Sequence, residues 1–473
     1  RRLSQIMMKK VIKKLLAALL AVAMVCAMAI PAFAAGTGSN TLTINGTTEG
    51  HTYEAYQVFT GDLKGKVLSN IVWGNGVNGD DIRNDPDLPS SLSGLSSAAA
   101  LAAELAKLSP SSDEVNAFAE VVSKHLSTNK YTSTESGTTY TIDNLPDGYY
   151  FIKDATVSMP VGATYSRYML NIVNSVTIKA KDTSVTLDKQ IKHNENDSWG
   201  DVGDNAIGDD VEFKITTTIP SDVSAYDKYT YTVRDQLSEG FTFNDNLTYK
   251  YYDADGQEIT SVTVGPNTTV GDDSSTTDYK ESFYVTFDIK ELVKNYPTVA
   301  KIETYYSAKL NEKAKVAVTA PDSVNNNPNT AYLTYSNNPQ DKTGKEKGET
   351  PKVTVYDWTF SLVGNKVDEK GEPLAGAKFQ LRNVHGDAIR LVKIADNVYR
   401  LEIGSEAGSI DTIITDATGK FTIKGIDDMT TYKLVEIEAP AQYNRADPYE
   451  FKFDTTYDPA DTLQSIRMLD GTD

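Results

Sequence analysis

Cysteine is almost absent, with one residue in 473. That excludes a disulfide framework and any zinc–thiolate centre. Histidine is nearly as scarce: four scattered residues with no HExxH or paired spacing give no basis for a His-based catalytic metal site. Positive charge is short as well, 46 Lys+Arg against 65 Asp+Glu, for a formal charge of −19. No basic face stands out, so neither nucleic acid nor an anionic membrane is an expected partner. What the chain does have is apolar and aromatic material. Hydrophobic residues make up 40%, with 27 Tyr and 14 Phe, enough for real cores and too much for a wholly disordered chain. The length, roughly three domains of about 150 residues, sets the expectation of two to four domains.

Only one long hydrophobic run exists, at the N-terminus. From Met7 or Met8 the chain shows a basic stretch (Lys9, Lys10, Lys13, Lys14), an apolar run from Leu15 to Ile30, and Ala32-Phe33-Ala34 as a small-x-small cleavage site. This is the pattern of a secretory signal peptide over residues 1–34, with residues 1–6 preceding the true start. A retained membrane anchor is the alternative, but the run is short for a bilayer. Cys26 follows Val25, where lipidation would need a small residue. Removing 1–34 takes away six basic residues and the sole Cys, leaving an exported, strongly acidic chain without any disulfide. Such a chain needs another source of robustness.

Three segments follow. Residues 35–181 open with β-like runs such as 53–59, then hold the only strong helical patterns, an Ala/Leu-rich stretch ending at Pro110 and a second from Asp113 with i, i+3, i+4 apolar spacing. Residues 182–347 and 351–473 are runs of four to eight residues rich in Val, Ile, Thr, Tyr and Phe, bounded by Asp/Asn/Gly/Pro clusters. The expected class is all-β: tandem immunoglobulin-like sandwiches, the first carrying an inserted helical pair. A polar Gly/Lys-rich stretch from Asn337 marks the second boundary. Asp/Asn-rich turns at 201–210 and 325–329 lack DxDxDG spacing and read as solvated turns rather than Ca²⁺ loops. No metal or other cofactor is expected.

Period-2 alternation assigns side chains to faces. Lys189 shares a face with Val185, Leu187 and Ile191; Asp235 with Tyr229, Tyr231 and Val233; Asn337 with Ala331, Leu333 and Tyr335. Taken singly, each reads as a strand-end residue reaching solvent. Together they put a lysine, an acid and an amide on the inward faces of first, middle and last strands, which is costly unless they meet. If they meet, burial favours a neutral amine and a neutral acid. The amine is then a nucleophile toward the Asn337 amide, Asp235 polarises the carbonyl and shuttles protons, and a Lys–Asn isopeptide bond forms as ammonia leaves.

These residues and their surroundings resemble the major (backbone) pilins of Gram-positive bacteria, sortase-polymerised shaft proteins with intramolecular isopeptide bonds and Cna-like domains. The matching runs are 50–63, 177–191, 231–243 and 329–339, with 360–381 and 432–443 in segment three. The resemblance implies Lys189 as the isopeptide lysine, Asp235 as the assisting acid and Asn337 as the partner, with Asn338, on the opposite face, as fallback. In segment three, alternation through Trp358, Phe360, Leu362 and Gly364 turns Lys366 inward, and the resemblance makes Glu436, in Tyr432-x-Leu434-x-Glu436, an E-box acid. The box departs at Gln442, where relatives usually carry Gly.

The family pattern also calls for a partner Asn on the final strand and a sorting signal after it. The chain stops at MLDGTD, and after Glu436 offers only Asn444, so a fragment at both ends is expected. Lys181 stands where the polymerising lysine of such pilins is found, in a partial match to the usual motif, with Lys179 next. The implied function is a structural subunit of a covalent pilus shaft, not an enzyme beyond single-turnover self-crosslinking. Implied partners are identical subunits, a pilin sortase, other pilins and host surface ligands, at the cell wall and fimbrium. A minor pilin or wall-anchored adhesin built from the same modules is the alternative. A secreted glycosidase with paired carboxylates finds no supporting motif.

Overall fold

The computed structural model describes residues 40–470 apart from 47, 65–66, 110–111, 166, 173–174, 180–184, 194–196, 222, 271–281, 340 and 342. The signal-peptide stretch 1–34 and Lys181 lie outside the described residues. The chain divides into two compact units, one built on residues up to 184 with 224–228 and 336–348, the other on 185–223, 229–335 and 349–473.

In the first unit, alternation builds two sheets. Asn40–Asn45 buries Leu42 and Ile44, pairs antiparallel with Thr139–Leu145 and runs parallel to Val176–Lys179. Tyr53–Lys64 lies between Val67–Trp73 and Gly148–Asp154 in the second sheet. Helical segments Ala98–Leu105 and Asp113–Lys124 occur in the stretch where the sequence predicts helices. Each begins at a serine whose side chain accepts from the backbone three residues on, Ser97 from Ala100 and Ser112 from Val115. Their apolar stripes, Leu101, Ala102 and Leu105 with Val115, Phe118 and Val122, close a core with Val58 and Phe59. A shorter helix, Gly79–Asn84, was not foreseen. No described helix is long and apolar enough to cross a membrane.

The second unit holds two cores. Around the first, one sheet runs Trp199–Gly200, Leu187–Lys192, Asp210–Thr218, Val299–Leu310 and Phe241–Phe243, with Thr248–Asp253 also on Val299–Leu310. The facing sheet runs Val202–Asp204, Val353–Trp358, Asn327–Ser336, Tyr231–Leu237, Phe283–Thr286 and Asn267–Val270. Phe213, Ile215, Val233, Phe283, Ile302 and Leu333 fill the space between. Val353–Trp358 pairs antiparallel with Asn327–Ser336, and Val355 enters this same core. The sequence reading opened its third segment at 351. The structure instead gives 353–358 to the middle sandwich, and the third begins at the Phe360–Asn365 strand.

That third sandwich pairs a four-stranded sheet containing Phe360–Asn365 and Lys420–Ile426 with a five-stranded one containing Lys378–Arg382, Tyr432–Glu438, Tyr449–Tyr457 and Leu463–Asp470. Trp358, Phe360, Leu381, Ile423 and Phe451 form its core. Val202, Ala206 and Ala317 of the middle segment belong to that core as well, so the two sandwiches share apolar surface rather than meeting at a clean boundary.

Candidate functional site

Leu187–Lys192 places Leu187, Lys189 and Ile191 on the inward face, as alternation requires, and Lys189 is fully buried. Asp235, on the opposite sheet, is also fully buried. The two meet: Lys189 Nζ donates to Asp235 Oδ2. The Tyr306 hydroxyl joins them, accepting from Lys189 Nζ at 2.7 Å and donating to Asp235 Oδ2 at 2.8 Å. Asn329 Nδ2 in turn donates to the Tyr306 hydroxyl at 2.8 Å, and Asn329 is fully buried. An aromatic box surrounds the amine. Its Nζ lies 5.4 Å from the Phe213 ring centroid and 5.2 Å from that of Tyr306. Phe213 stacks on Tyr306, and Phe283 meets Tyr306 edge-on at 4.9 Å.

Burial controls the protonation of this cluster. It lowers the pKa of the Lys189 ammonium, against the opposing pull of Asp235. It pushes the Asp235 carboxyl up, against Lys189 and Tyr306. It also lifts the Tyr306 phenol far above its usual value, helped by the Asp235 charge. A neutral amine beside a neutral acid is what these directions favour.

The expected partner, Asn337, is not in this cluster. The register pairs Asp235 with Ala331 and Leu237 with Asn329, whereas Tyr335 faces Tyr231. Asn329 is two residues from Ala331; Asn337 is six residues away in the other direction, roughly 20 Å along a strand. Alternation could not separate the two, since both lie on the same parity of the same run. Asn338 does not take the place either; its Nδ2 donates to Glu346. Two members of the cluster, Tyr306 and Asn329, were therefore missed. The alternation of Ile302, Thr304, Tyr306, Ala308 and Leu310 was the available signal for Tyr306.

In the third sandwich, Lys366 follows the Phe360–Asn365 strand and donates to Glu436 Oε2 at 3.0 Å. Glu436, buried on Tyr432–Glu438, also accepts from the Ala446 N–H at 2.6 Å. Asn444 is exposed. Gln442 has φ of 77°, left-handed backbone that glycine occupies without strain. Lys179 ends the Val176–Lys179 strand.

A different acidic group was not foreseen. Asp204, Asp427 and Asp428 are buried with carboxylate oxygens within 4.8 Å of one another, a spacing an oxygen-ligated cation could bridge. Thr430 donates to Asp427 at 3.0 Å, and Thr455 donates to Asp428.

A family model described as the SpaA prealbumin-like fold domain matches residues 360–464. The "Trypsin-resistant surface T6 protein" of Streptococcus pyogenes serotype M6 is 26% identical over 253 residues, 50% of this chain and 40% of that protein. The chain therefore aligns with less than half the length of that curated relative. The solved T6 backbone pilin of serotype M6 Streptococcus pyogenes, with its modular three-domain structure, superposes with a TM-score of 0.53 at 19% identity, covering 90% of this chain and 88% of the other. That likeness extends the all-β, multi-sandwich fold along nearly the whole chain. In sequence the chain is similar, over part of its length, to the SpaA prealbumin-like domain and the T6 surface protein, and in fold it is similar to the T6 backbone pilin.

Proposed function

We propose that this chain is a structural subunit of a covalently polymerised pilus shaft, and that its middle sandwich is closed by an intramolecular isopeptide bond between Lys189 and Asn329. The observation that carries the reading is the burial of a lysine, an acid and an amide in one hydrogen-bonded cluster spanning two sheets. Three such groups taken out of water are costly as ordinary core residues and cheap as reactants or product of a crosslink. Lys189 is the nucleophile and Asn329 Cγ the electrophile. Asp235 Oδ1 and Asn329 Oδ1 both lack a hydrogen-bond partner among the described residues, and a protonated Asp235 would polarise that carbonyl. Lys366 and Glu436 form the corresponding lysine–acid pair in the third sandwich.

Export follows from the 1–34 signal peptide, and assembly is onto identical subunits through a sortase acting at Lys181, at the cell wall and fimbrium. Other pilins and host surface ligands are further partners of such a shaft.

Intact mass tests the crosslink. The chain should be lighter than its sequence by one ammonia. The full sequence mass should return in Lys189→Ala and Asn329→Ala, while Asn337→Ala should still show the loss. A full sequence mass in the parent would overturn the proposed bond.

A further inference from the structure

We infer that Tyr306 is a catalytic residue of the crosslinking reaction, the proton carrier that lets ammonia leave. This rests on the Lys189–Asn329 reading and extends it to a residue that the matched motifs do not include. The hydroxyl touches all three reacting groups: it is 2.7 Å from Lys189 Nζ, 2.8 Å from Asp235 Oδ2 and 2.8 Å from Asn329 Nδ2. Lys189 and Tyr306 come from one sheet, and Asp235 and Asn329 from the other. The hydroxyl thus sits at the junction between the sheets, where the new bond must form.

The chemistry requires such a carrier. Attack of neutral Lys189 Nζ on Asn329 Cγ makes a C–N bond and leaves an extra proton on the amine nitrogen. Collapse breaks the Cγ–Nδ2 bond, and Nδ2 must gain one proton to depart as ammonia. Protonated Asp235 lends its Oδ1 proton to the oxyanion that the attack creates. Its Oδ2, which already accepts from Lys189, then takes the amine proton. On collapse the new carbonyl oxygen returns the lent proton to Oδ1. Tyr306 gives its own proton to Nδ2 and is reprotonated by Asp235. Both residues end as they began, one amide replaces another, and one ammonia leaves. Proton transfer by a positioned side chain is typically worth 10²–10⁴-fold in rate.

The rings hold the hydroxyl in place without it. Tyr306 stacks on Phe213 at 5.2 Å and meets Phe243 at 5.9 Å, so Tyr306→Phe keeps the packing and removes only the oxygen. Ammonia loss is followed by mass spectrometry during cell-free synthesis of the parent, of Tyr306→Phe, and of a chain with 3-fluorotyrosine introduced at position 306. Hydrogen exchange of 231–237 and 327–336 reports folding. Tyr306→Phe should fold and crosslink on the order of a hundredfold more slowly. The fluorinated chain, with a more acidic phenol, should show an altered rate with a shifted pH profile. Crosslinking of a folded Tyr306→Phe at the parental rate would overturn the role. If Tyr306→Phe fails to fold, an unchanged rate and pH profile in the fluorinated chain would do the same. A parent that never loses ammonia is a separate result: it removes the Lys189–Asn329 bond, and the role of Tyr306 with it.

Discussion

Asn329 Nδ2 and the Tyr306 hydroxyl meet at 2.8 Å across the gap between the two sheets of the middle sandwich. In the proposed crosslink this contact is what favours Asn329 as the amide. It ties the first half of the Asn327–Ser336 strand to the Lys189–Asp235 pair and leaves the far end of that strand, toward Asn337, outside the chemistry. A bond at Asn329 also fixes how much chain is enclosed, and hence how much it stabilises.

The enclosed loop, from 189 to 329, holds about 140 residues. In the chain-entropy model used for disulfides such a tie is worth on the order of 5 kcal/mol. Asn329→Ala removes the tie and keeps the lysine–acid pair. Its middle sandwich should melt roughly 10–20 °C lower in calorimetry and yield faster to protease. Matching melting curves for parent and variant would refute a stabilising crosslink.

Polymerisation is expected to depend on Lys181. In the full-length protein with a cognate pilin sortase present, Lys181→Ala should abolish high-molecular-weight ladders on gels while the monomer stays folded. Ladders that persist in Lys181→Ala and vanish in Lys179→Ala would move the linkage by two residues. Persistence in both would remove the lysine basis of the shaft reading.

Asp357 should make stability fall with rising pH. It is fully buried; burial, aided by Asp209 and opposed by Asn205, pushes its carboxyl up to about 8. Because the folded value lies above the unfolded one, this contribution is complete below about pH 4 and is lost as pH rises toward 8. The change in stability across that window has an upper bound of roughly 6 kcal/mol. Asp357→Asn should flatten the profile. Relative to the parent, the variant should gain in urea midpoint at pH 8 far more than at pH 4. Parallel pH profiles for the two chains would contradict this.

The third sandwich should need Glu436 more than its neighbour two residues on. Glu436 is buried and accepts from both Lys366 and the Ala446 N–H, whereas Lys378 and Glu438 pair at the surface. Glu436→Gln should cost about 1–3 kcal/mol in the urea unfolding of that sandwich. Glu438→Gln should cost less than about 1 kcal/mol. Similar losses in both variants would remove the special standing of the Lys366–Glu436 pair.

Much of this was legible in the residue pattern, because alternation is local. Strand parity alone turned Lys189 and Asp235 inward and set Lys366 beside the core. Register is not local. Asn329 and Asn337 occupy the same face of one run, and only the pairing of Ala331 with Asp235 separates them. Tyr306 stayed hidden for a similar reason: a tyrosine on an apolar face looks like packing until the opposite sheet supplies an acid and an amide. The 353–358 strand was assigned to the wrong sandwich because a polar, Gly/Lys-rich stretch precedes it. Composition marked a boundary there, and the chain instead returns to the sheet it had left.

That returning strand has a mechanical consequence. A Lys189–Asn329 bond carries tension past residues 190–328, but Val353–Trp358, paired beside Asn327–Ser336, comes after Asn329 in the chain. The stretch from 330 to 358 therefore remains in series with the load. These nearly thirty residues, fully drawn out, span on the order of 100 Å. Under a sudden pull Val353–Trp358 would peel away first and residues 330–336 would then leave Tyr231–Leu237, so the facing sheet would give up its centre in a stroke that stops where the contour ends, while the bond holds residues 190–328 closed.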